Sequence, residues 1–206
     1  MKKRWFGYSL FACFSLLLGA CDQTTTSSSI DDIYDIEKVN EVEALISDLP
    51  SPSTNNQVVI SIFAVQDAYN DLNEKEKEMV ENYTVLESYV DQIYSLVTID
   101  GTYSSKYEVA LYIFLYDDLP SNFITKDEAE ALGWTGGSLW FYADGKSIGG
   151  DRFYNRERLL PEGVYYECDI DYQGERSRNA LRIVYSLSLD TIYYTSNHYS
   201  SFEQLY

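Results

Sequence analysis

The chain reads as an α+β protein, with helices first in sequence and an antiparallel sheet after them. Three observations predict it. Apolar residues recur at helical spacing through Val39, Val42, Leu45 and Ile46, and again through Val109, Tyr112, Ile113 and Tyr116. Thr125 and Glu128 stand three apart, the spacing of a capping box, and Gly133-Trp134 close the helix they open. Beyond Gly145 the period changes to two. Tyr165 to Tyr172 and Arg182 to Ser186 alternate as strands do. Helices first and an antiparallel sheet after them make an α+β domain.

The first residues say where the chain works. Met1-Lys2-Lys3-Arg4 is a cationic start, Trp5 to Leu18 is an apolar run, and Gly19-Ala20-Cys21 follow. The run is too short to cross a bilayer, so residues 1–20 read as a signal peptide. Leu18-Gly19-Ala20-Cys21 has the form of a bacterial lipobox, with Cys21 as the lipidated first residue of the mature chain. Acyl chains there would anchor the protein at the outer face of the cell membrane, unless it is released outside the cell. Residues 21–35 contain the polar run Asp22 to Ser29 and read as a flexible tether. Cys13 and Cys21 belong to this leader, which leaves Cys168 and excludes an internal disulfide. One residue from Glu167 on a strand, Cys168 should face the opposite side and be buried.

Charge divides the rest. Residues 22–100 hold 3 basic and 17 acidic groups, and residues 101–206 hold 9 and 16, within a net charge of −18. Such a balance excludes a general nucleic-acid packaging role, because non-specific affinity comes from neutralising phosphates. It leaves room for an enzyme that focuses positive charge in one cleft.

Residues 36–98 read as a small helical module. The first helix ends at Leu49-Pro50-Ser51-Pro52, and a second runs from about Gln57 to Leu72. A third starts near Asn73-Glu74 and carries Met79, Val80, Tyr83, Leu86, Tyr89 and Ile93 on one side. Its pieces Ile46 to Pro50, Ala68 to Leu72 and Glu76 to Val80 resemble short helical modules of exported Gram-positive proteins, a resemblance that names no activity. Residues 101–206 form the second domain. A helix over Tyr107 to Tyr116 stops at Leu119-Pro120, the capped helix reaches Leu132, and strands follow the glycine-bearing run Gly145 to Asp151.

The chemistry-bearing residues lie in this second domain. The only histidine of the chain, His198, follows strands that supply Glu167, Arg178 and Arg182. A carboxylate, an imidazole and guanidinium groups on one sheet can move protons and neutralise a phosphate without a metal. Taken singly, each residue has a plain structural alternative. His198 could be a structural histidine and Glu167 a solvated acid, while Arg178 and Arg182 could pair with Asp169 and Asp171.

Residues 101–206 resemble the barnase-like branch of the microbial guanyl-specific ribonucleases along the whole domain. The matching runs are Leu119 to Lys126, Glu128-Ala129, Ala131 to Trp134, Gly145 to Asp151, Phe153, Asn155-Arg156-Glu157 and Leu160-Pro161. They continue through Glu167, Asp169-Ile170, Tyr172, Arg178-Asn179, Arg182-Ile183, Tyr185-Ser186, Tyr193 and His198-Tyr199. The resemblance implies a twisted antiparallel sheet carrying the active site. It implies Glu167 as general base, His198 as general acid, and Lys126, Arg178 and Arg182 as cations around the phosphate. It places base recognition in the loop 153–157, through Phe153, Asn155, Arg156 and Glu157, with Tyr199 facing the bound base or phosphate. Asp169 and Asp151 would give structural support, Asp169 by pairing with both arginines.

The substrate implied is single-stranded RNA cut after guanosine, first to a 2′,3′-cyclic phosphate and then by hydrolysis. No cofactor or metal is expected, and the protein is expected to be a monomer, with an acidic barstar-like inhibitor as a candidate partner. A non-enzymatic surface interaction lipoprotein, or an exported ribonuclease toxin with the same chemistry, are the alternative readings. Four departures from the family pattern stand out: Tyr154 replaces a small serine, Arg152 an apolar residue and Asn197 an aspartate, and the loop from Trp134 to Gly145 differs.

Overall fold

The computed structural model describes residues 34–172 and 174–206. The signal peptide, Cys21 and all of the tether before Tyr34 lie outside the described residues. Among those described, no helix is long and apolar enough to cross a membrane. The helices are α1 (Ile36–Ser47), α2 (Asn56–Asn70), α3 (Glu74–Met79), α4 (Tyr83–Leu96), α5 (Lys106–Tyr116) and α6 (Lys126–Ala131). The strands are β1 (Phe123–Ile124), β2 (Ser147–Phe153), β3 (Tyr165–Asp169), β4 (Arg182–Ser186), β5 (Thr191–Thr195) and β6 (Glu203–Gln204).

The chain forms two compact units whose boundary does not fall near residue 100. Among the described residues, one takes in 34–49 with Phe63–Leu86, and the other Pro50–Ile62 with Glu87–Tyr206. The stretch read as one helical module is therefore shared between them. In the first unit, Val39, Val42 and Ile46 of α1 are buried together with Val65, Leu72, Val80 and Leu86. The expected third helix is two helices. Val80 takes an extended conformation at ψ 102°, and the break is held by the end of α1. There Glu43 Oε1 accepts from Glu81 N at 2.7 Å, and the Asn82 side chain donates to Glu43 O at 2.9 Å. An apolar stripe running through a break cannot reveal it, because both helices need the same buried face.

In the second unit the first turns of α2 are fastened to the C-terminus. Asn56, itself buried, donates from Nδ2 to Leu205 O at 3.0 Å. Helix α5 buries Val109 to Phe114, and Asp117 ends it in the left-handed region at φ 57°. The six strands lie in the order of the chain. All neighbours are antiparallel except the short edge pair β1 and β2, where Phe123 and Ile124 run parallel to Ser147 and Ile148. The sheet is thus antiparallel, as expected, with one parallel edge.

Side-chain alternation gives the sheet two different faces. Cys168, Ile183 and Ile192 are buried on one of them, and Cys168 is a buried free thiol whose pKa burial pushes well up. The other face carries Asp151, Glu167 and Val184 in one cross-strand row, and Asp169, Arg182 and Thr195 in the next. A bulge makes that register. Gly149 pairs with Cys168 and Asp151 with Glu167, so Gly150 at φ 89° is the extra residue. Glycine suits this left-handed position, and the added residue turns Asp151 onto the face of Glu167.

Candidate active site

Four segments bring the polar residues of that face together. Helix α6 starts where Thr125 Oγ1 accepts from Glu128 N and Glu128 Oε2 accepts from Thr125 N at 2.8 Å, the reciprocal box that the spacing predicts. The Thr125 backbone N–H, together with its hydroxyl, which also donates to Glu128 Oε2 at 2.9 Å, holds the Glu128 carboxyl below the usual carboxylate range. Lys126, the first helical residue, then meets the sheet twice. Its backbone N donates to Asp151 Oδ2 at 3.0 Å, and its Nζ donates to Glu167 Oε1 at 2.7 Å. The other oxygen of Glu167 accepts a short hydrogen bond from the Tyr199 hydroxyl. Both oxygens of the central carboxylate are thereby oriented by donors. Burial pushes the Tyr199 phenol well up, and its bond to Glu167 adds to the rise, so it stays a donor.

Burial also raises the Asp151 carboxyl, against the pull of the Lys126 amide and ammonium and with help from Glu167. A carboxyl with a raised folded pKa favours the folded state when protonated. It therefore costs stability as pH rises from the ordinary carboxylate value through the folded one. Asp151→Asn is expected to stabilise the protein increasingly, relative to wild type, as pH rises through that window. Urea unfolding across about pH 3 to 7 checks it, and a wild type that gains on the variant over this range contradicts it.

Beside this group lies a buried charge cluster. Asp169 accepts from Arg178 Nε at 2.5 Å and from Arg178 Nη2 at 2.8 Å, a bidentate pair. Burial alone would lower the Arg178 pKa, but this pairing with Asp169 outweighs it and leaves the pKa raised. Arg182 Nε lies 2.7 Å from Asp169 Oδ1, an ion-pair contact in which the N–H points off line, so that Nε makes no hydrogen bond. Its Nη1 donates to Leu181 O at 2.7 Å and Asn179 O at 2.8 Å. Asp169 therefore pairs with both arginines. The two differ in access: the Arg182 side chain is 3% exposed and that of Arg178 22%. Arg182 is sealed under the surface because it stands directly opposite Asp169 across the strand pair. It can act on a bound phosphate through its field and through Asp169, whereas Arg178 can reach it.

His198 and Tyr199 sit in a turn after β5, both in the left-handed region at φ 52° and 71°. Backbone of this kind in non-glycine residues is held only by surrounding structure. The buried Thr195 Oγ1 accepts from Tyr199 N at 3.1 Å. His198 N donates to Ala180 O at 3.2 Å, tying the turn to the loop that carries Arg178. Asn197 closes the turn by accepting from Ser201 N at 3.0 Å and donating to Ser201 Oγ at 2.8 Å. The departure from aspartate thus leaves a side chain that shapes the histidine turn. The His198 imidazole is exposed and meets the Tyr199 ring at 4.7 Å, without a hydrogen bond to the described residues. Sequence reasoning missed Thr195 and Ala180. Only a position two residues before Asn197-His198 could have pointed to the former, and the latter acts through its carbonyl.

The loop after β2 is joined to this site by aromatic packing. Phe153 meets Tyr199 at 5.1 Å and Phe202 at 6.0 Å. Asn155, at φ 41°, folds the loop around its own side chain. Its Nδ2 donates to Leu160 O at 2.8 Å and its Oδ1 accepts from Leu160 N at 3.1 Å. Arg156 and Glu157 are exposed at the loop tip, and the Glu157 carboxylate has no partner among the described residues. Phe153 and Tyr199 are therefore linked, Asn155 orders the loop from within, and Arg156 and Glu157 stand out toward solvent.

A mainly antiparallel sheet with helices before it, and a carboxylate, cations and a histidine turn on one face, define the α+β class of small ribonucleases. Comparison with known proteins agrees. The ribonuclease family model matches residues 112–206. A ribonuclease of Bacillus intermedius is 40% identical over 154 residues, covering 72% of this chain and 90% of the relative. A ribonuclease of Heyndrickxia coagulans is 47% identical over 102 residues, covering 47% and 92%. One of Bacillus pumilus is 47% identical over 102 residues, covering 47% and 62%. The chain belongs to the ribonuclease family and is an endoribonuclease of the barnase-like microbial type. Membership favours the enzyme over the purely binding lipoprotein.

Proposed function

We propose that this protein is a metal-independent endoribonuclease that cuts single-stranded RNA after guanosine, outside the cell. The observation that carries the reading is Glu167, held by Lys126 and Tyr199 on a face that also presents Arg178 and the His198 turn. RNA brings its own nucleophile, so the protein needs a base, an acid and charge stabilisation. Glu167 takes the proton from the 2′-hydroxyl as its oxygen attacks phosphorus. The bond to the 5′-oxygen breaks, and protonated His198 gives that oxygen its proton. The products are a 2′,3′-cyclic phosphate and a 5′-hydroxyl, and water opens the cyclic ester with the two roles exchanged.

Lys126 and Arg178 offset the charge that grows on the phosphoryl oxygens, with Arg182 and Asp169 beneath them fixing Arg178. Asp151 supports the Lys126 end. In the loop, the free carboxylate of Glu157 accepts from the N1 and N2 donors of guanine, a pair that adenine lacks, and an unmatched base leaves that charge desolvated. Phe153 and Tyr199 give the loop its apolar floor, while Asn155 and Arg156 shape and present it.

Export follows from the leader, and Cys21 carries the lipid that holds the enzyme at the membrane. A nearby acidic inhibitor would fit the cationic site and would favour the toxin reading, as an active ribonuclease endangers its own cytoplasm.

Cleavage of the dinucleotides GpA, ApA, CpA and UpA in excess EDTA tests the core of the proposal. GpA is expected to be cut fastest, without loss on chelation and with DNA left intact. Abolition by EDTA overturns metal independence, and equal rates on the four overturn the guanosine preference.

A further inference from the structure

Two of the departures from the family pattern, Arg152 and Tyr154, come together in space. Tyr154 is 68% exposed, the guanidinium of Arg152 stands 5.9 Å from its ring centre, and that of Arg156 stands 5.7 Å away. Exposure of this degree means the ring has no packing task in the fold. Among the described residues, no carboxylate pairs with either guanidinium. Three of the nine basic residues of 101–206 fall between 152 and 158, in a domain whose balance is acidic. An exposed aromatic ring ringed by arginines, with a locally positive potential, has the chemistry of a stacking platform for an unpaired base. Ring and base stack, and the guanidinium groups serve the flanking phosphate as well as the ring.

We propose that Tyr154, with Arg152 and Arg156, forms a nucleotide subsite on the guanosine loop that holds the base on the 5′ side of the cleaved guanosine. Tyr154 lies within the loop assigned to guanine, directly after Phe153, whose ring packs on Tyr199 at 5.1 Å. Arg152, opposite Tyr166, stands on the sheet face away from Asp151 and Phe153, so the platform flanks the catalytic face from its far side. The catalytic cluster claims the phosphate on the 3′ side of that guanosine. The strand entering from the 5′ side is the one left to pass the Tyr154 ring. This inference rests on the proposed guanosine reading.

The test compares kcat/KM for GpA, for the 5′-extended ApGpA and for the 3′-extended GpApA, in wild type, Tyr154→Ser, Tyr154→Trp and Arg152→Ala. In wild type the 5′ extension is expected to raise kcat/KM roughly tenfold, mainly through KM, as stacking on an exposed ring allows. Tyr154→Ser is expected to lose that gain while cutting GpA as wild type does. Arg152→Ala should keep part of it and Tyr154→Trp all of it. Three results overturn the subsite: a 5′ gain unchanged in Tyr154→Ser, an equal loss on GpA and ApGpA, or a loss confined to GpApA. Failure of the guanosine reading appears separately, as wild-type dinucleotide rates that ignore the base, and the extension series is then run on the dinucleotide cut fastest.

Discussion

Glu167→Gln is expected to lower kcat for RNA cleavage by roughly 10²–10⁴-fold while leaving KM nearly unchanged, the loss that removal of a general base produces. Glutamine keeps the size of the side chain and an oxygen for Lys126 Nζ, so the fold and the cation survive. What goes is the ability to accept the 2′ proton. His198→Ala is expected to lose a similar factor on RNA, and the two differ when the leaving group changes. An aryl ester of guanosine 3′-phosphate has a leaving oxygen that departs without a proton. On it His198→Ala should recover most of the wild-type rate, whereas Glu167→Gln should remain slow, because the 2′-hydroxyl still needs its base. Steady-state kinetics on both substrates read this directly. A fast Glu167→Gln on RNA removes glutamate from the mechanism, and recovery by Glu167→Gln alone on the aryl ester inverts the two roles.

Asp169→Ala is expected to destabilise the protein by about 3–5 kcal/mol, the usual cost of deleting one member of a buried charge cluster. The Asp169 side chain is 2% exposed, and it is paired with Arg182 at 3% exposure and with Arg178. Its removal leaves one guanidinium with no countercharge and little water. The Arg178 loop, which also receives the His198 amide at Ala180, loses its anchor at the same time. Urea unfolding measures the stability loss, and kcat on RNA should fall with it in conditions where the variant remains folded. A loss under about 1 kcal/mol, typical of exposed pairs, would mean that solvent reaches this cluster.

The local devices were legible because each is written within a few residues. The Thr125–Glu128 box, the α5 stripe and the outward turn of Glu167 against buried Cys168 all follow from spacing and alternation. The pairing of Asp169 with both arginines was also open to reading, though through the family resemblance, since charge alone left Asp171 as a second partner. The break between α3 and α4 was not, because it depends on Glu43, almost forty residues away. Nor was the partition of the helical stretch between two compact units, which only contacts between distant residues can define. The unequal access of Arg178 and Arg182 had no sequence signal, since identical side chains become different groups when one stands opposite a buried carboxylate.

The sequence by itself determined the fold class and the set of residues from which a site could be built, because periodicity, caps and residue chemistry are local properties, and its resemblance to the microbial ribonucleases supplied the ribonuclease character. Tertiary structure alone decided how those residues meet. The Gly150 bulge set Asp151 opposite Glu167, Thr195 and Ala180 held the left-handed His198 turn, and burial separated a reaching arginine from a supporting one. Register, burial and the tie of the His198 turn to Ala180 arise from contacts between segments far apart in the chain, which no short window of sequence contains, and the local Thr195–Tyr199 bond completes that turn.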